Sequence, residues 1–127
     1  MLKIAYCLRR LPGMSLEEFQ GYWLNNHAPL VRQLAPTLRI QRYVQSHTAS
    51  YPQLAPIITS RGGIVEAYDG VAEIYWESLE EMMAAGASKE GRDASRALLD
   101  DERRFIDLPN SPLLFTHEHE IISDVVR

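Results

Sequence analysis

Apolar residues recur every three or four positions between residues 15 and 34, and this spacing predicts the first helix of the chain. Ser15 and Glu18 form a capping-box pattern at its start. Pro29 lacks an N–H and crowds the preceding turn, so we expect a kink or break just after His27, which lies on the apolar stripe. The stripe consists of Leu16, Phe19, Trp23, Leu30 and Leu34.

Four stretches alternate between apolar and other residues and predict strands. They are residues 2–9, 38–47, 68–76 and 113–123. Between the last two, a helical pattern is interrupted by Gly86, Ser88 and Gly91 and resumes up to Phe105, which predicts two short helices.

The tetrapeptide SLEE occurs at residues 15–18 and again at 78–81, each time after a strand and before a helix. The matched order of strand, capping box and helix indicates that each half of the chain is one βαβ unit. The whole is then an α+β, ferredoxin-like βαββαβ domain over residues 1–127, with a four-stranded antiparallel sheet and both helices on one face.

The other face of that sheet also carries apolar residues, among them those that alternate with Ile4, Val44 and Ile74. A sheet left bare on one side exposes a large apolar patch, and pairing with a second copy covers it. We therefore predict a homodimer.

Composition narrows the choice of partner and location. The chain is 46% hydrophobic, enough for a core at 127 residues, and its net charge is −4 with no dense cluster of Lys and Arg. Nucleic acid is therefore not expected as a partner.

The apolar runs are too short to span a membrane and no signal peptide is evident, which predicts a cytoplasmic protein. The single Cys7 lies in a predicted strand and is expected to be a buried, inert thiol.

Residues 49–67 form a long connection that contains Pro52, Pro56 and a Gly62–Gly63 pair. Long loops in compact domains often serve as lids or binding loops, although a plain surface connection remains the alternative.

His27 is the leading candidate for chemistry, because an imidazole titrates near neutral pH and exchanges protons there. The alternative is a core histidine that bonds to a backbone carbonyl. His47 and Asp69 lie at strand ends, where either could border the same cavity between helix and sheet, and Asp69 could orient the His27 ring. Turn formation and solvent contact are the simpler roles for both.

Four aromatic residues near the first helix suit a small hydrophobic or aromatic molecule in an apolar pocket, although aromatics at helical spacing also form ordinary cores. They are Phe19, Tyr22, Trp23 and Tyr43. His117 and His119 share one face of the last predicted strand but lack a third ligand nearby, so no metal site is predicted. No phosphate-binding loop or dinucleotide motif is present, and no organic cofactor is expected.

Two motifs carry a resemblance that covers nearly the whole chain. The segment with Phe19, Tyr22 and Trp23 followed by HAPL at residues 27–30, and the later YDGVAE at residues 68–73, resemble the EthD family. The resemblance implies a dimeric α+β barrel and cofactor-free chemistry such as isomerisation, dehydration or oxygenation, with His27 moving a proton. Some members are associated with alkyl ether degradation, which leaves a second expectation: a non-catalytic protein that binds a hydrophobic ligand or assists a degradative oxygenase.

Overall fold

A computed structural model describes residues 1–64 and 68–123. Its four strands are β1 (Leu2–Leu8), β2 (Arg42–His47), β3 (Gly70–Trp76) and β4 (Leu113–Thr116). They form one antiparallel sheet in the order β2-β3-β1-β4, which is the ferredoxin-like arrangement. The predicted α+β fold class is confirmed.

Within the part of the chain that the structure describes, five α-helices accompany the sheet. They are α1 (Leu16–Tyr22), α2 (Ala28–Leu38), α3 (Ala55–Thr59), α4 (Leu79–Ala87) and α5 (Lys89–Glu102). Short 3-10 turns occupy Pro52–Leu54 and Leu108–Asn110. Among the described residues, none of these helices combines the length and apolar character needed to cross a bilayer.

The start of α1 is held by the predicted capping box. Oγ of Ser15 accepts the backbone N–H of Glu18 at 3.0 Å, and Oε1 of Glu18 accepts the backbone N–H of Ser15 at 3.0 Å. Ser78 caps α4 in the same way toward the backbone N–H of Glu81 at 3.1 Å. Both copies of SLEE therefore begin a helix.

The irregularity expected after His27 lies earlier in the chain. A π-helical turn occupies Trp23–His27, and the N–H of Ala28 donates to the carbonyl of Trp23. Pro29 is the second residue of α2, directly after the π-helical turn, and the backbone stays helical on both sides of it, so the proline does not break the helix.

Several predicted boundaries were wrong. α2 continues to Leu38, where Arg39 adopts a left-handed conformation (φ 58°), so β2 begins at Arg42 rather than at residue 38. The strand expected over 113–123 ends at Thr116, because Thr116 already pairs with Lys3 and β1 has only Leu2 left beyond that pair. The long connection contains α3, and its residues 65–67 lie outside the described residues.

The predicted interruption of the second helical region is confirmed, although the second piece is longer than expected. Ser88 separates α4 from α5 and caps α5 by accepting the N–H of Gly91 at 2.9 Å. Gly91 lies so close to α4 that an added Cβ would stand 1.7 Å from the carbonyl oxygen of Ala85. This contact fixes α5 against α4 and so fixes the position of its C-terminal residues.

The core lies between the sheet and the helices α1 and α5. It is built from Leu8, Phe19, Trp23, Ala72, Phe105 and Ile106. Trp23 packs against the backbone of Gly70, where an added Cβ would meet its ring at 2.4 Å. The space that was expected to hold a ligand, between the first helix and the sheet, is filled at this point by Phe19 and Trp23.

Candidate functional site

His27 lies at the end of the π-helical turn and is 5% exposed. Its Nδ1 is 2.7 Å from Oδ2 of Asp101, near the end of α5, and its ring lies 5.0 Å from the ring of Phe105. The inward orientation expected of His27 is therefore observed. The carboxylate beside it is Asp101, however, and not Asp69.

Asp101 is itself buried and accepts hydrogen bonds from three side chains. The hydroxyl of Tyr22 donates to Oδ1 at 2.5 Å, and Nη1 of Arg104 donates to the same oxygen at 3.3 Å. Burial by itself would raise the pKa of Asp101, but the hydrogen bonds from Tyr22 and His27, together with the charge of Arg104, lower it below its usual value. Asp101 is thus a carboxylate at neutral pH.

The ionised carboxylate determines which tautomer His27 adopts. A carboxylate only accepts hydrogen bonds, so Nδ1 carries the hydrogen and Nε2 has a free lone pair. Burial lowers the pKa of His27 below 6.5, and this outweighs the opposing effect of Asp101. A neutral imidazole with Nε2 as a proton acceptor results.

Nε2 is the ring nitrogen that makes no hydrogen bond within residues 1–64 and 68–123, since the bond that the structure gives this ring is made by Nδ1. No polar side-chain atom of these residues is both fully buried and without a partner. His27 as a whole is 5% exposed, and Nε2 therefore keeps a small contact with solvent.

Asp69 and His47 lie elsewhere. Oδ1 of Asp69 is 2.6 Å from Nη1 of Arg10, and its Oδ2 accepts the backbone N–H of Arg10 at 2.7 Å, so its oxygens hold the turn after β1. The ring of His47 stacks on Trp23 with centroids 4.5 Å apart, and its Nε2 bonds to Oε1 of Gln45 at 2.8 Å. The structure does not bring either residue to His27.

The four predicted ligand-binding aromatics belong to the packed core of the domain. Phe19 and Trp23 are buried in the core, and Nε1 of Trp23 donates to the hydroxyl of Tyr43 at 3.2 Å. Gln45 joins this contact by donating from Nε2 to the Tyr43 hydroxyl and to the carbonyl of Trp23, both at 3.0 Å. Of the four, Tyr22 is the one that contacts the His27–Asp101 pair.

Asp101 was missed in the sequence, yet its position carries a signal. It belongs to a stripe of four residues spaced as one face of a helix, and the other three are apolar. The stripe is Ala94, Leu98, Asp101 and Phe105. A carboxylate on an apolar helical face is the same pattern that singled out His27, and the two stripes meet in the fold.

Glu102, the next residue along α5, provides a second perturbed carboxyl group. The hydroxyl of Tyr6 donates to its Oε1 at 3.3 Å. Burial raises the pKa of Glu102 to about 7, and the nearby Asp101 contributes to the rise. Burial and the charge of Glu102 also raise the pKa of Tyr6.

A cavity of about 890 Å³ opens at the end of the sheet where β1 finishes. One wall is the β1–α1 turn, the other is residues 48–58, and Tyr68, Asp69 and Asp107 also line it. His27 and the four predicted aromatics are not among its lining residues.

The two histidines near the C-terminus, His117 and His119, lie outside the sheet. Both lie beyond β4 and are exposed, and Nδ1 of His117 is 3.3 Å from the carbonyl oxygen of Met1. Within the described ranges, no cluster of three or more His, Cys, Asp or Glu side chains could hold a metal ion.

Comparison with known proteins agrees with this fold. A family model described as the EthD domain matches residues 11–109, and the chain belongs to the EthD family. This span includes the HAPL segment, Asp69 and Asp101.

Solved structures extend the likeness to nearly the whole chain. An ethyl tert-butyl ether D (EthD) family protein from Bacillus halodurans superposes with a TM-score of 0.60 at 19% identity, covering 94% of this chain and 100% of that one. A dimeric protein of unknown function and ferredoxin-like fold from Bacteroides fragilis has a TM-score of 0.56 at 8% identity, covering 92% and 95%.

A third structure, provisionally assigned as an antibiotic biosynthesis monooxygenase from Deinococcus radiodurans, has a TM-score of 0.53 at 12% identity, covering 99% of this chain and 100% of that one. At these identities the likeness establishes the fold. The chemistry has to be argued from the residues of this chain.

Proposed function

We propose that this EthD-family protein is a small enzyme that transfers a proton to or from a hydrophobic or aromatic substrate without an organic cofactor. The observation that carries the proposal is the buried pair of His27 and Asp101, joined at 2.7 Å. A neutral imidazole whose Nδ1 is held by a carboxylate is the arrangement that acid–base enzymes use to direct Nε2 at a substrate.

His27 is the catalytic residue in this proposal. Its Nε2 takes a proton from an acidic C–H or O–H group of the substrate, and Asp101 stabilises the imidazolium that forms. Tyr22 and Asp101 are positioning residues, because they act through the imidazole. Removal of a proton begins isomerisation, dehydration and the activation of a phenol toward oxygen alike, so the pair suits all three reaction types.

We propose no catalytic role for Asp69 or His47. The carboxylate of Asp69 is held by Arg10, and the His47 ring is stacked on Trp23. Phe105, whose ring lies 5.0 Å from that of His27, is fully buried and packs against the imidazole inside the domain. The burial of His27 favours an uncharged substrate over a charged one.

A pH–rate profile of the wild-type protein and three variants tests the proposal, with lactones and phenols as substrates. His27→Gln should lower kcat by about 100-fold or more, the usual contribution of a general base. Asp101→Asn should lower kcat and shift the inflection of the profile. His119→Gln, a change at an exposed histidine outside the site, serves as the control.

Equal activity in wild type and His27→Gln, with both folded, would refute the assignment. If no substrate is turned over but several of them raise the melting temperature, the second candidate is favoured: a non-catalytic protein that binds a hydrophobic ligand or assists a degradative oxygenase. The cavity at the end of the sheet supports that candidate, because His27 does not line it.

The proposal includes a homodimer formed through the sheet face that the helices leave open. Small and apolar residues on that face alternate with charged ones, and Leu114 is 53% exposed. The relative from Bacteroides fragilis is described as dimeric. Light scattering after size exclusion should give twice the chain mass of 14.5 kDa, and Leu114→Glu should shift the protein toward monomer. A wild-type monomer at micromolar concentration would exclude this assembly.

A further inference from the structure

The cavity at the end of the sheet has walls that are held in place by hydrogen bonds. Nε of Arg10 donates to the carbonyl of Met14 at 2.8 Å, and both oxygens of Asp69 bond to Arg10. Gly13 (φ 85°) takes the left-handed conformation that the turn requires. On the other wall, Oγ1 of Thr48 donates to the carbonyl of Tyr68 at 2.6 Å.

Apolar side chains make up most of the lining, and some of them are more exposed than large apolar residues usually are. The apolar lining residues include Leu11, Met14, Leu16, Leu54, Ile57 and Ile58. Leu54 is 46% exposed and Ile57 is 56% exposed, and both belong to the wall formed by residues 48–58. A volume of about 890 Å³ lies within the range of sites for small organic molecules, and a guest would cover these two side chains.

The charged groups of the lining balance one another. Two arginines, Arg9 and Arg10, face two aspartates, Asp69 and Asp107. Arg10 is paired with Asp69, while the guanidinium of Arg9 lies 4.5 Å over the ring of Tyr68. A cavity without net formal charge offers no advantage to an anion or a cation, and a mostly apolar wall disfavours both.

Among the polar groups of the lining, the Arg10 guanidinium is held in a fixed orientation and can orient a guest. The hydrogen bonds that the structure gives the Arg10 guanidinium within the described residues use Nε and Nη1. Its Nη2 is therefore a donor for an oxygen atom, held in place by the other two contacts.

From these observations we infer that the cavity is a binding site for an uncharged, mainly apolar organic molecule whose carbonyl or hydroxyl oxygen accepts a hydrogen bond from Arg10. The inference is independent of catalysis at His27, which does not line the cavity.

Fluorescence titration with prodan, an uncharged naphthalene ketone, tests the site directly. We expect saturable binding of one prodan per chain with a blue-shifted emission. Ile58→Asp, which puts a carboxylate into the apolar wall, should weaken binding about tenfold or more, because tenfold corresponds to about 1.4 kcal/mol. Leu79→Asp is the matched control, since Leu79 is an exposed leucine at the start of α4 and outside the cavity.

The charge assignment is tested by competition between two molecules of nearly the same shape. 2-Acetylnaphthalene is neutral and 2-naphthoate is an anion at pH 7.5. The ketone should displace prodan at an approximately tenfold lower concentration, and Arg10→Lys should weaken displacement by the ketone, because it removes the Nη2 donor. Equal displacement by both, or stronger displacement by the anion, would overturn the inferred ligand class.

His27→Gln should bind prodan as tightly as the wild type does. This result would show that the cavity and the proposed catalytic pair are independent, because His27→Gln would lose activity and still bind prodan. Non-saturable prodan binding, or the same affinity in Ile58→Asp and Leu79→Asp, would refute the site.

Discussion

Nδ1 of His27 and Oδ2 of Asp101 lie 2.7 Å apart although 74 positions separate the two residues along the chain. One comes from the π-helical turn after α1 and the other from the end of α5, and each lies on an otherwise apolar helical face. The contact is sheltered from water, so changes to either group should be visible in the pKa of the other.

The first prediction concerns the pKa of His27. In the wild type burial holds it below 6.5, and Asp101 partly opposes that effect. Asp101→Asn removes the opposing charge, so the pKa of His27 should fall further. NMR titration of the histidine Cε1–H signals measures this directly, with the exposed His119 as the internal reference. An unchanged or higher pKa in Asp101→Asn would contradict this account of the pair.

A second prediction concerns Tyr22, whose hydroxyl donates to Asp101 at 2.5 Å. Tyr22→Phe removes this bond to a charged acceptor and should lower the free energy of unfolding at pH 7 by about 1.5–3 kcal/mol. The pKa of Asp101 is lowered in the folded state, so its stabilising contribution is present above 3.8 and is lost as the pH falls through the lower folded pKa. The cost of Tyr22→Phe should therefore shrink in acid.

Urea denaturation at pH 7 and at pH 2.5 measures both parts of that prediction. Tyr51→Phe, at an exposed tyrosine in the connection before α3, is the matched control and should change stability little at either pH. An equal cost for Tyr22→Phe at both pH values would show that the bond does not depend on an ionised Asp101.

Glu102 gives a third prediction with the opposite dependence on pH. Its pKa is about 7 in the folded protein against 4.5 for the unfolded chain, so the folded state holds the proton more tightly between these values. Its contribution to stability is full below pH 4.5 and is lost as the pH rises to about 7. Glu102→Gln, which resembles the protonated form, should gain up to about 3 kcal/mol over the wild type between pH 4.5 and pH 8.

Chemical denaturation of both proteins across that pH range provides the measurement. Glu90→Gln, at an exposed glutamate in the first turn of the same helix, controls for the loss of one negative charge. If the two variants respond alike, burial of Glu102 is not what shifts its pKa.

The fourth prediction compares two glycines on either side of the α4–α5 junction. Gly91→Ala would place a Cβ 1.7 Å from the carbonyl oxygen of Ala85, and the helices would have to move apart, at a cost of about 3 kcal/mol. Gly86 has no atom within 4 Å of an added Cβ and lies inside α4, so Gly86→Ala should stabilise by about 0.5–1 kcal/mol. Thermal melts that give both variants the same sign would contradict the packing of this junction.

The features of this fold that neighbouring residues determine could be predicted from the sequence. The cap at Ser15, the interruption of the second helical region around Ser88 and the succession of strands and main helices along the chain depend on local spacing and turn chemistry, and they were predicted correctly. The inward face of His27 followed from helical periodicity in the same way. These features need little knowledge of what packs against them.

The partner of His27 could not be found in the same way, because it depends on how two distant helices meet. Asp69 was the expected carboxylate because it borders a strand, but the turn after β1 brings Arg10 to it first. The expected hollow beneath the first helix was likewise filled by Trp23, which fits closely only because residue 70 is a glycine. The extent of β4 was misjudged because pairing stops where β1 runs out of residues, which the alternation in β4 does not reveal.

The wide turn at Trp23–His27 holds one residue more than an α-helical turn would. Because the turn absorbs that residue, the helices on both sides keep the same buried face, with Phe19 before it and Val31 after it. Deleting a single asparagine from the WLNNH segment would therefore restore ordinary winding and leave the histidine on the buried face. Chains that retain HAPL but are one residue shorter before it would still direct this ring toward α5.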